Sequence, residues 1–216
     1  KLFYAVTTLL VIALLGLFSF EYWDEKDLAY SSNQPQPVTA PTGHVTITIK
    51  IDARVLEVYS DGKLYKRYRV AVGKHNSPSP VGEWYVVNKS YSDKPLFGTR
   101  WLGLNVPWGS YGIHGTNRPW SIGQFASKGC IRLRNKDIEE LFEWVPIGTP
   151  VRIEGRLDKV KRTLRYQSSG PDVVALQLRL KELGFFHGPA DGLYGRYTEA
   201  AVKAYQEAKG LEPTGV

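Results

Sequence analysis

Apolar and polar residues alternate along the middle of the chain, with the period of β-strands that bury one face. The clearest run is 45–51 (VTITIKI), and the Asp61-Gly62 pair further on predicts a tight hairpin turn. Strands are predicted at 45–51, 55–59, 64–72, 84–87 and 151–153. The pattern therefore predicts a mostly β domain over residues 44–154.

One helix is predicted inside this domain. Ile138, Leu141, Phe142 and Val145 fall on one helical face. We predict that Asn135 caps the start of this helix and that Pro146 ends it.

A helical period replaces the strand period near the end of the chain, after a basic linker at 155–169. Val173, Leu176, Leu180 and Leu183 recur at spacings of 3, 4 and 3, which predicts an amphipathic helix stopped by Gly184. Thr198 is predicted to cap a second helix that ends at Gly210. Residues 170–216 should form a small all-α module.

The start of the chain has the pattern of a membrane segment. Positions 2–20 hold no charge and no proline, and 19 helical residues span roughly 28 Å, close to the thickness of the bilayer hydrocarbon. A cleaved signal peptide and a buried core helix are the alternatives, but acidic residues rather than a small-residue cleavage site follow the run. We expect 1–20 to be an uncleaved single-pass transmembrane helix and 21–43 an extended linker. Lys1 before the span favours a body on the extracytoplasmic, cell-wall side, or secretion if the segment is cleaved.

Charge narrows the choice of partners. The chain carries a formal net charge of +7, and residues 44–163 hold 20 Lys+Arg against 11 Asp+Glu. A basic domain outside a membrane suits anionic wall polymers or lipid head groups, although a merely solvated basic surface is the plain alternative. The sequence has no zinc finger, recognition helix or RNA-binding aromatic motif, so nucleic acid is not an expected partner.

The single cysteine, Cys130, lies 16 residues after His114 and is the best candidate for chemistry. An imidazole can take the proton of a thiol that attacks a carbonyl. The glycine-containing turn before Cys130 can point successive N–H groups at one spot, as an oxyanion hole requires. A buried structural cysteine is the alternative, but an unpaired thiol outside the cell is unusual. No metal or cofactor is expected, because the sequence lacks H-E-x-x-H and any Cys/His cluster.

The motif around these two residues resembles that of a known enzyme family. Residues 113–116 (IHGT) followed by 127–132 (SKGCIR) are similar to the signature of the YkuD-type L,D-transpeptidases. The similarity covers the whole β domain, including 70–74 (VAVGK), 79–82 (SPVG) and 98–103 (GTRWLG). It implies the L,D-transpeptidase type of β-sandwich or barrel with a short helix.

The resemblance implies a role for each matching residue. Cys130 would be the nucleophile and His114 the general base, with the main-chain carbonyl of Gly115 orienting its ring. The oxyanion hole would be formed by the backbone N–H groups of Lys128, Gly129 and Cys130. Ser127 would brace the site, and Arg132 would hold the turn or contact a substrate carboxylate. Many members have histidine at the position of Lys128, and an ammonium there could help to hold Cys130 as a thiolate.

The helical module resembles the small peptidoglycan-binding domain that accompanies wall enzymes. The matching segments are 170–177, 183–186, 191–195 and 198–206. That family continues into a closing helix, so we expect the module to be clipped at Val216 or to lack this helix. Since position 1 is not methionine, we also expect the natural protein to begin before Lys1.

Together the two resemblances imply a peptidoglycan L,D-transpeptidase that forms 3→3 cross-links. The expected partners are peptidoglycan stem peptides, the glycan and, through 1–20, a membrane. The cysteine would form a thioester with release of D-alanine. An L,D-carboxypeptidase that uses water as acceptor and a non-catalytic wall-binding protein are the alternatives.

Overall fold

The computed structural model describes residues 39–157 and 159–216. These residues form ten strands, three α-helices and two short 3₁₀ turns at Pro95–Phe97 and Pro119–Ser121. The strands are β1 (Val45–Lys50), β2 (Val55–Ser60), β3 (Lys63–Arg69), β4 (Val72–Gly73), β5 (Gly82–Tyr91), β6 (Arg100–Leu104), β7 (Tyr111–His114), β8 (Phe125–Ser127), β9 (Ile131–Arg132) and β10 (Pro150–Glu154). The helices are α1 (Asn135–Trp144), α2 (Pro171–Glu182) and α3 (Arg196–Ala208). The fold is thus a mostly β domain followed by a helical module.

Eight strands form one curled sheet, in the order β3-β2-β1-β10-β5-β6-β7-β9. The ten-residue strand β5 pairs with β10 through its first half and with β6 through its second, and its register shifts between Val86 and Asn88. Such a shift bends a strand, so β5 is where the sheet changes direction. β4 and β8 form a separate two-stranded parallel pair.

The predicted hairpin is confirmed, but its return strand is shorter than expected. Asp61 and Gly62 have φ angles of 49° and 75°, the left-handed conformation that a two-residue hairpin turn needs. β3 ends at Arg69, and the chain then changes partner, so that Val72 pairs with Phe125 of β8. Our prediction of one strand over 64–72 was wrong here, because both pieces bury their apolar residues in the same core and the alternation runs on across the break.

Helix α1 covers the sheet with Ile138, Leu141 and Phe142, which are all buried. The prediction that Asn135 caps this helix was wrong. Arg134 is the N-cap residue, and Oδ1 of Asn135 instead accepts a hydrogen bond of 3.1 Å from the Thr116 amide. The side chain is turned away from its own helix because the loop after β7 needs an acceptor there.

The helical module has its own apolar core between α2 and α3, but its buried stripe differs from the predicted one. Gln177 is only 1% exposed, whereas Leu183 lies beyond the end of α2 and is 41% exposed. The Gln177 amide donates to Asp191, Leu193 and Thr198 and accepts from the Gly192 N–H. A buried amide is tolerated here because its hydrogen-bonding groups are satisfied.

Thr198 is not the cap of α3. Gly195 is the N-cap residue, and Thr198 lies in the first turn of the helix, where its hydroxyl meets the Gln177 amide and the Leu193 carbonyl. The hydroxyl therefore belongs to the hydrogen-bond network of the module's core.

The helical module packs directly on the β domain. Val174 and Ala190 of the module are buried in the same apolar cluster as the strands. The Glu83 amide donates to the Ala190 carbonyl at 3.1 Å, and the Glu83 carboxylate accepts from the Ala190 amide at 3.0 Å. A shared core, one backbone–backbone hydrogen bond and one hydrogen bond to the Glu83 carboxylate join the two parts into one packed unit.

The predicted membrane segment at 1–20 lies outside the described residues, as does most of the predicted linker. Across residues 39–157 and 159–216, none of the helices is both long enough and apolar enough to span a bilayer.

Candidate active site

Strand pairing brings together the two segments that carry His114 and Cys130. β7 and β9 are parallel neighbours, with Ile113 opposite Ile131 and His114 opposite Arg132. Both isoleucines are buried in the core, at 0% and 1% exposure. Because side chains alternate across a strand, His114 and Arg132 face the side opposite these isoleucines. Cys130 lies in the bend directly before β9, so the pairing brings the cysteine segment next to the strand that ends at His114, although 16 residues separate the two in sequence.

The ring of His114 is held in one orientation and one tautomer. Nδ1 lies 2.5 Å from the carbonyl oxygen of Gly115. A carbonyl can only accept, so Nδ1 carries the proton and Nε2 is left as a proton acceptor. The ring stacks on Trp101 at 5.5 Å and meets Phe97 edge-on at 5.0 Å. This arrangement is the one predicted for a base oriented by the Gly115 carbonyl.

The loop after His114 depends on Asn135, a residue predicted only to cap a helix. A Cβ atom on Gly115 would lie 2.3 Å from Oδ1 of Asn135, so only glycine fits where this side chain enters. The same oxygen accepts from the Thr116 amide. Asn135 therefore fixes the loop that carries the carbonyl on which His114 depends. An asparagine at a helix start is usually a cap, so the sequence holds no signal for this second use.

Ser127 braces the turn before Cys130. It is fully buried, and its Oγ donates to the Cys130 carbonyl at 2.6 Å and accepts from the Gly129 amide at 3.0 Å. Gly129 has a φ of 115°, and a Cβ there would lie 2.6 Å from the Tyr111 ring. The brace predicted for Ser127 is thus present as two hydrogen bonds.

The brace also changes the predicted oxyanion hole. The Gly129 N–H already donates to Ser127, so it is not free to bind an oxyanion. Within the described residues, the amides of Lys128 and Cys130 make no backbone hydrogen bond, and they remain as two donors on this turn. Two backbone donors are enough for an oxyanion hole.

Burial keeps the cysteine and histidine neutral at rest. Burial raises the pKa of the Cys130 thiol, against a backbone hydrogen bond to Gly112 and the Arg132 charge, which lower it. Burial also lowers the pKa of His114 to about 4, although the Gly115 carbonyl favours the protonated ring. At neutral pH the resting pair is therefore a thiol and a neutral imidazole.

Arg132, rather than Lys128, is the cation that acts on the thiol. Lys128 is exposed, so its ammonium is well solvated. It does not contribute to the pKa shift of the Cys130 thiol, so the predicted stabilisation of a thiolate by Lys128 is not observed. The main chain of Arg132 exchanges two hydrogen bonds of 2.9 Å with Ala71, and its buried Nε has no partner among the described residues. The guanidinium thus retains a donor without a partner among these residues, and its charge acts on the Cys130 thiol.

Comparison with known proteins shows the family to which the chain belongs. Residues 44–153 match the family model described as the L,D-transpeptidase catalytic domain. The chain is 44% identical over 119 residues to a protein of Bacillus subtilis (strain 168) named putative L,D-transpeptidase YkuD, covering 55% of this chain and 70% of that one. The chain belongs to the L,D-transpeptidase family. Residues 169–216 match a second family model, described as a putative peptidoglycan binding domain.

Other L,D-transpeptidases show how far the similarity extends. A protein of Bacillus licheniformis with the same name is 44% identical over 107 residues, and the match spans 50% of this chain and 64% of that one. The solved catalytic domain of an Enterococcus faecium L,D-transpeptidase is 28% identical, with a TM-score of 0.45, and the match covers 51% of this chain and 96% of that one. The similarity to these L,D-transpeptidases thus covers about half of this chain.

Proposed function

We propose that this chain is a peptidoglycan L,D-transpeptidase that forms 3→3 cross-links through a thioester on Cys130. Membership of the family supports cross-linking as the general activity. The observation that supports the assignment to these residues is the pairing of β7, which ends at His114, with β9, which directly follows Cys130, together with the contact between Nδ1 of His114 and the Gly115 carbonyl. The basic domain also suits an anionic wall polymer.

The first half of the proposed reaction is acylation. Sγ of Cys130 attacks the carbonyl before the terminal D-alanine of a stem tetrapeptide while its proton passes to Nε2 of His114. The carbonyl oxygen becomes an oxyanion, which the amides of Lys128 and Cys130 stabilise. When the C–N bond breaks, the proton moves from Nε2 to the departing nitrogen, so D-alanine leaves with a neutral amine and a thioester remains.

The second half repeats these steps with a new nucleophile. The amine of a neighbouring stem attacks the thioester and loses its proton to Nε2. A second oxyanion forms at the same two amides and collapses. The cysteine sulfur leaves, takes the proton from Nε2 and returns as a thiol, and a new amide bond joins the stems.

The low pKa of His114, about 4, fits this use of the ring. A ring that is neutral at wall pH can accept a proton in every turnover, so no prior deprotonation of the histidine is needed. The partly buried thiol stays protonated until substrate arrives, which limits its oxidation.

The decisive experiment is intact-mass spectrometry of the purified full chain after exposure to a stem tetrapeptide. We expect one acyl adduct on Cys130, free D-alanine, and cross-linked dimers once an acceptor stem is added. Cys130→Ala should give neither adduct nor D-alanine. Release of D-alanine by Cys130→Ala would refute the mechanism, and tripeptides in place of dimers would show that water is the acceptor.

We further propose that residues 1–20 anchor the protein in the cell membrane with the β domain on the wall side. The support is the uncharged run at 2–20 and the acidic residues after it. Alkaline carbonate extraction of membranes should leave the full chain in the pellet and release a variant that lacks 1–20. Release of the full chain as well would refute the anchor.

A further inference from the structure

A cleft lies beside the turn that carries Cys130, and both parts of the protein form it. Its volume is about 380 Å³, which is within the range of small-ligand sites. The β domain contributes the loop at 76–81 together with Trp108, Tyr111 and Lys128. Arg156 in the linker and Pro171, the first residue of α2, also line it. The helical module therefore borders the space next to the catalytic turn.

Glu83 joins the helical module to the β domain. Its carboxylate accepts from Nζ of Lys181 at 2.7 Å and from the Ala190 amide at 3.0 Å, so one side chain fastens two segments of the module to β5. Charged hydrogen bonds of this length are roughly twice as strong as neutral ones. The module cannot leave the cleft without breaking them.

The module also supports the aromatic wall of the cleft. Trp108 packs edge-on against buried Trp84 at 5.5 Å, and a Cβ on Gly192 would lie 2.3 Å from the Trp108 ring. Trp108 belongs to the same loop as Ser110, whose carbonyl lies 4.0 Å from Sγ of Cys130. Contact with the module thus fixes a loop that reaches the nucleophile.

The charge of the cleft has one sign. Lys128 and Arg156 are the charged side chains that line it, and both are exposed. Neither makes an ion pair with a carboxylate in the part of the chain that the structure describes. Two cations without a carboxylate partner, in a cleft that Trp108 and Tyr111 also line, suit a peptide that carries a carboxylate.

We propose that this cleft binds a non-terminal carboxylate of the stem peptide with Lys128 and Arg156, so that the linker to the helical module forms part of the substrate site. The inference rests on the proposed transpeptidase function and assigns Arg156 of the linker a contact with substrate near the reacting carbonyl. Arg156 acts on binding alone, because it lies outside the catalytic turn.

The test compares Arg156→Gln with the unchanged full chain on two substrates, a stem tetrapeptide and the same peptide with its non-terminal carboxylates amidated. Acylation of Cys130 is followed by intact mass to obtain KM and kcat, and binding is measured by calorimetry in the Cys130→Ala background. For the unmodified peptide we expect KM and Kd to rise about 5-fold with little change in kcat. For the amidated peptide, Arg156→Gln should have no effect.

Two further variants separate charge from structure. Arg156→Lys keeps the cation and should restore most of the affinity, whereas Arg165→Gln removes an exposed cation that does not line the cleft and should change nothing. Equal losses on both peptides, or no loss on either, would overturn the carboxylate site while leaving the transpeptidase assignment intact. If the unchanged chain forms no adduct at all, the proposed function itself is wrong.

Discussion

Removal of the Ser127 hydroxyl tests whether the turn before Cys130 is built to stabilise an oxyanion. Ser127→Ala keeps the Cβ and the backbone but removes the oxygen that bonds both the Cys130 carbonyl and the Gly129 amide. The site is fully buried, so no water readily replaces either bond. The amides of Lys128 and Cys130 should then lose their fixed direction.

The expected size of the effect follows from those two bonds. A buried hydrogen bond contributes about 0.5–1.5 kcal/mol, so the pair should lower the free energy of unfolding by about 1–3 kcal/mol. If the same energy is lost from the transition state, kcat/KM for acylation falls by a factor of about 5 to 150. A loss in that range with little change in KM would indicate an interaction made in the transition state.

The assay is acylation of Cys130 followed by intact mass, with urea unfolding measured on the same protein samples. Thr149→Val is the matched control. It removes another buried hydroxyl, which donates to the Pro146 carbonyl at 2.8 Å after α1. We expect this control to lose stability but to acylate at the normal rate. Normal acylation by Ser127→Ala despite lower stability would refute the role of the brace.

Three other measurements test the electrostatics and the packing. Because burial lowers the pKa of His114 to about 4, acylation should persist down to about pH 5 and be lost near pH 4. Because burial raises the pKa of the Cys130 thiol, the rate of its alkylation should still be rising above pH 9. Loss of acylation near pH 6.5 would contradict the buried histidine. Burial raises the pKa of the Glu83 carboxyl, but the hydrogen bonds from Lys181 and Ala190 outweigh burial and lower the pKa overall. The stabilisation from Glu83 is therefore fully present above the ordinary carboxylate pKa and is lost as the pH falls through the lowered pKa. Glu83→Gln should therefore melt lower than the unchanged chain at pH 7, with the gap narrowing in acid; an unchanging gap would exclude the ion pair. Gln177→Leu leaves the Gly192 N–H without its acceptor and should lower the free energy of unfolding by about 1–3 kcal/mol. The helical module should then be cleaved earlier by a protease, and unchanged protease resistance would contradict this.

Local patterns in the sequence were sufficient for much of the β domain. Alternation of apolar residues depends only on which face is buried, so it identified β1, β2 and β10 close to their observed limits. The hairpin was predictable because only a few residues adopt two successive left-handed conformations, and Asp61-Gly62 is such a pair. The motif around Cys130 and His114 was equally local, since each half lies within a few consecutive residues.

Features that depend on distant partners could not be predicted in this way. Asn135 and Thr198 both occur where a cap is normally found, yet each bonds a segment from elsewhere in the chain. Gln177 occupies a buried position because four groups from the following loop and helix satisfy its amide. Glu83 resembles an ordinary surface residue of a strand until the helical module is placed against it. Propensity and spacing do not record such contacts.

The position of β10 has a consequence for how the protein folds during synthesis. This strand ends the β domain, yet it lies in the middle of the sheet, parallel to β1 on one side and antiparallel to β5 on the other. When the ribosome has released the chain only as far as α1, β1 and β5 are already present, but β10, which lies between them in the sheet, is not. The first strand can pair with β2 at once but must wait about a hundred residues for β10, so the nascent chain passes through an interval in which the thiol is already present and the sheet is not yet complete.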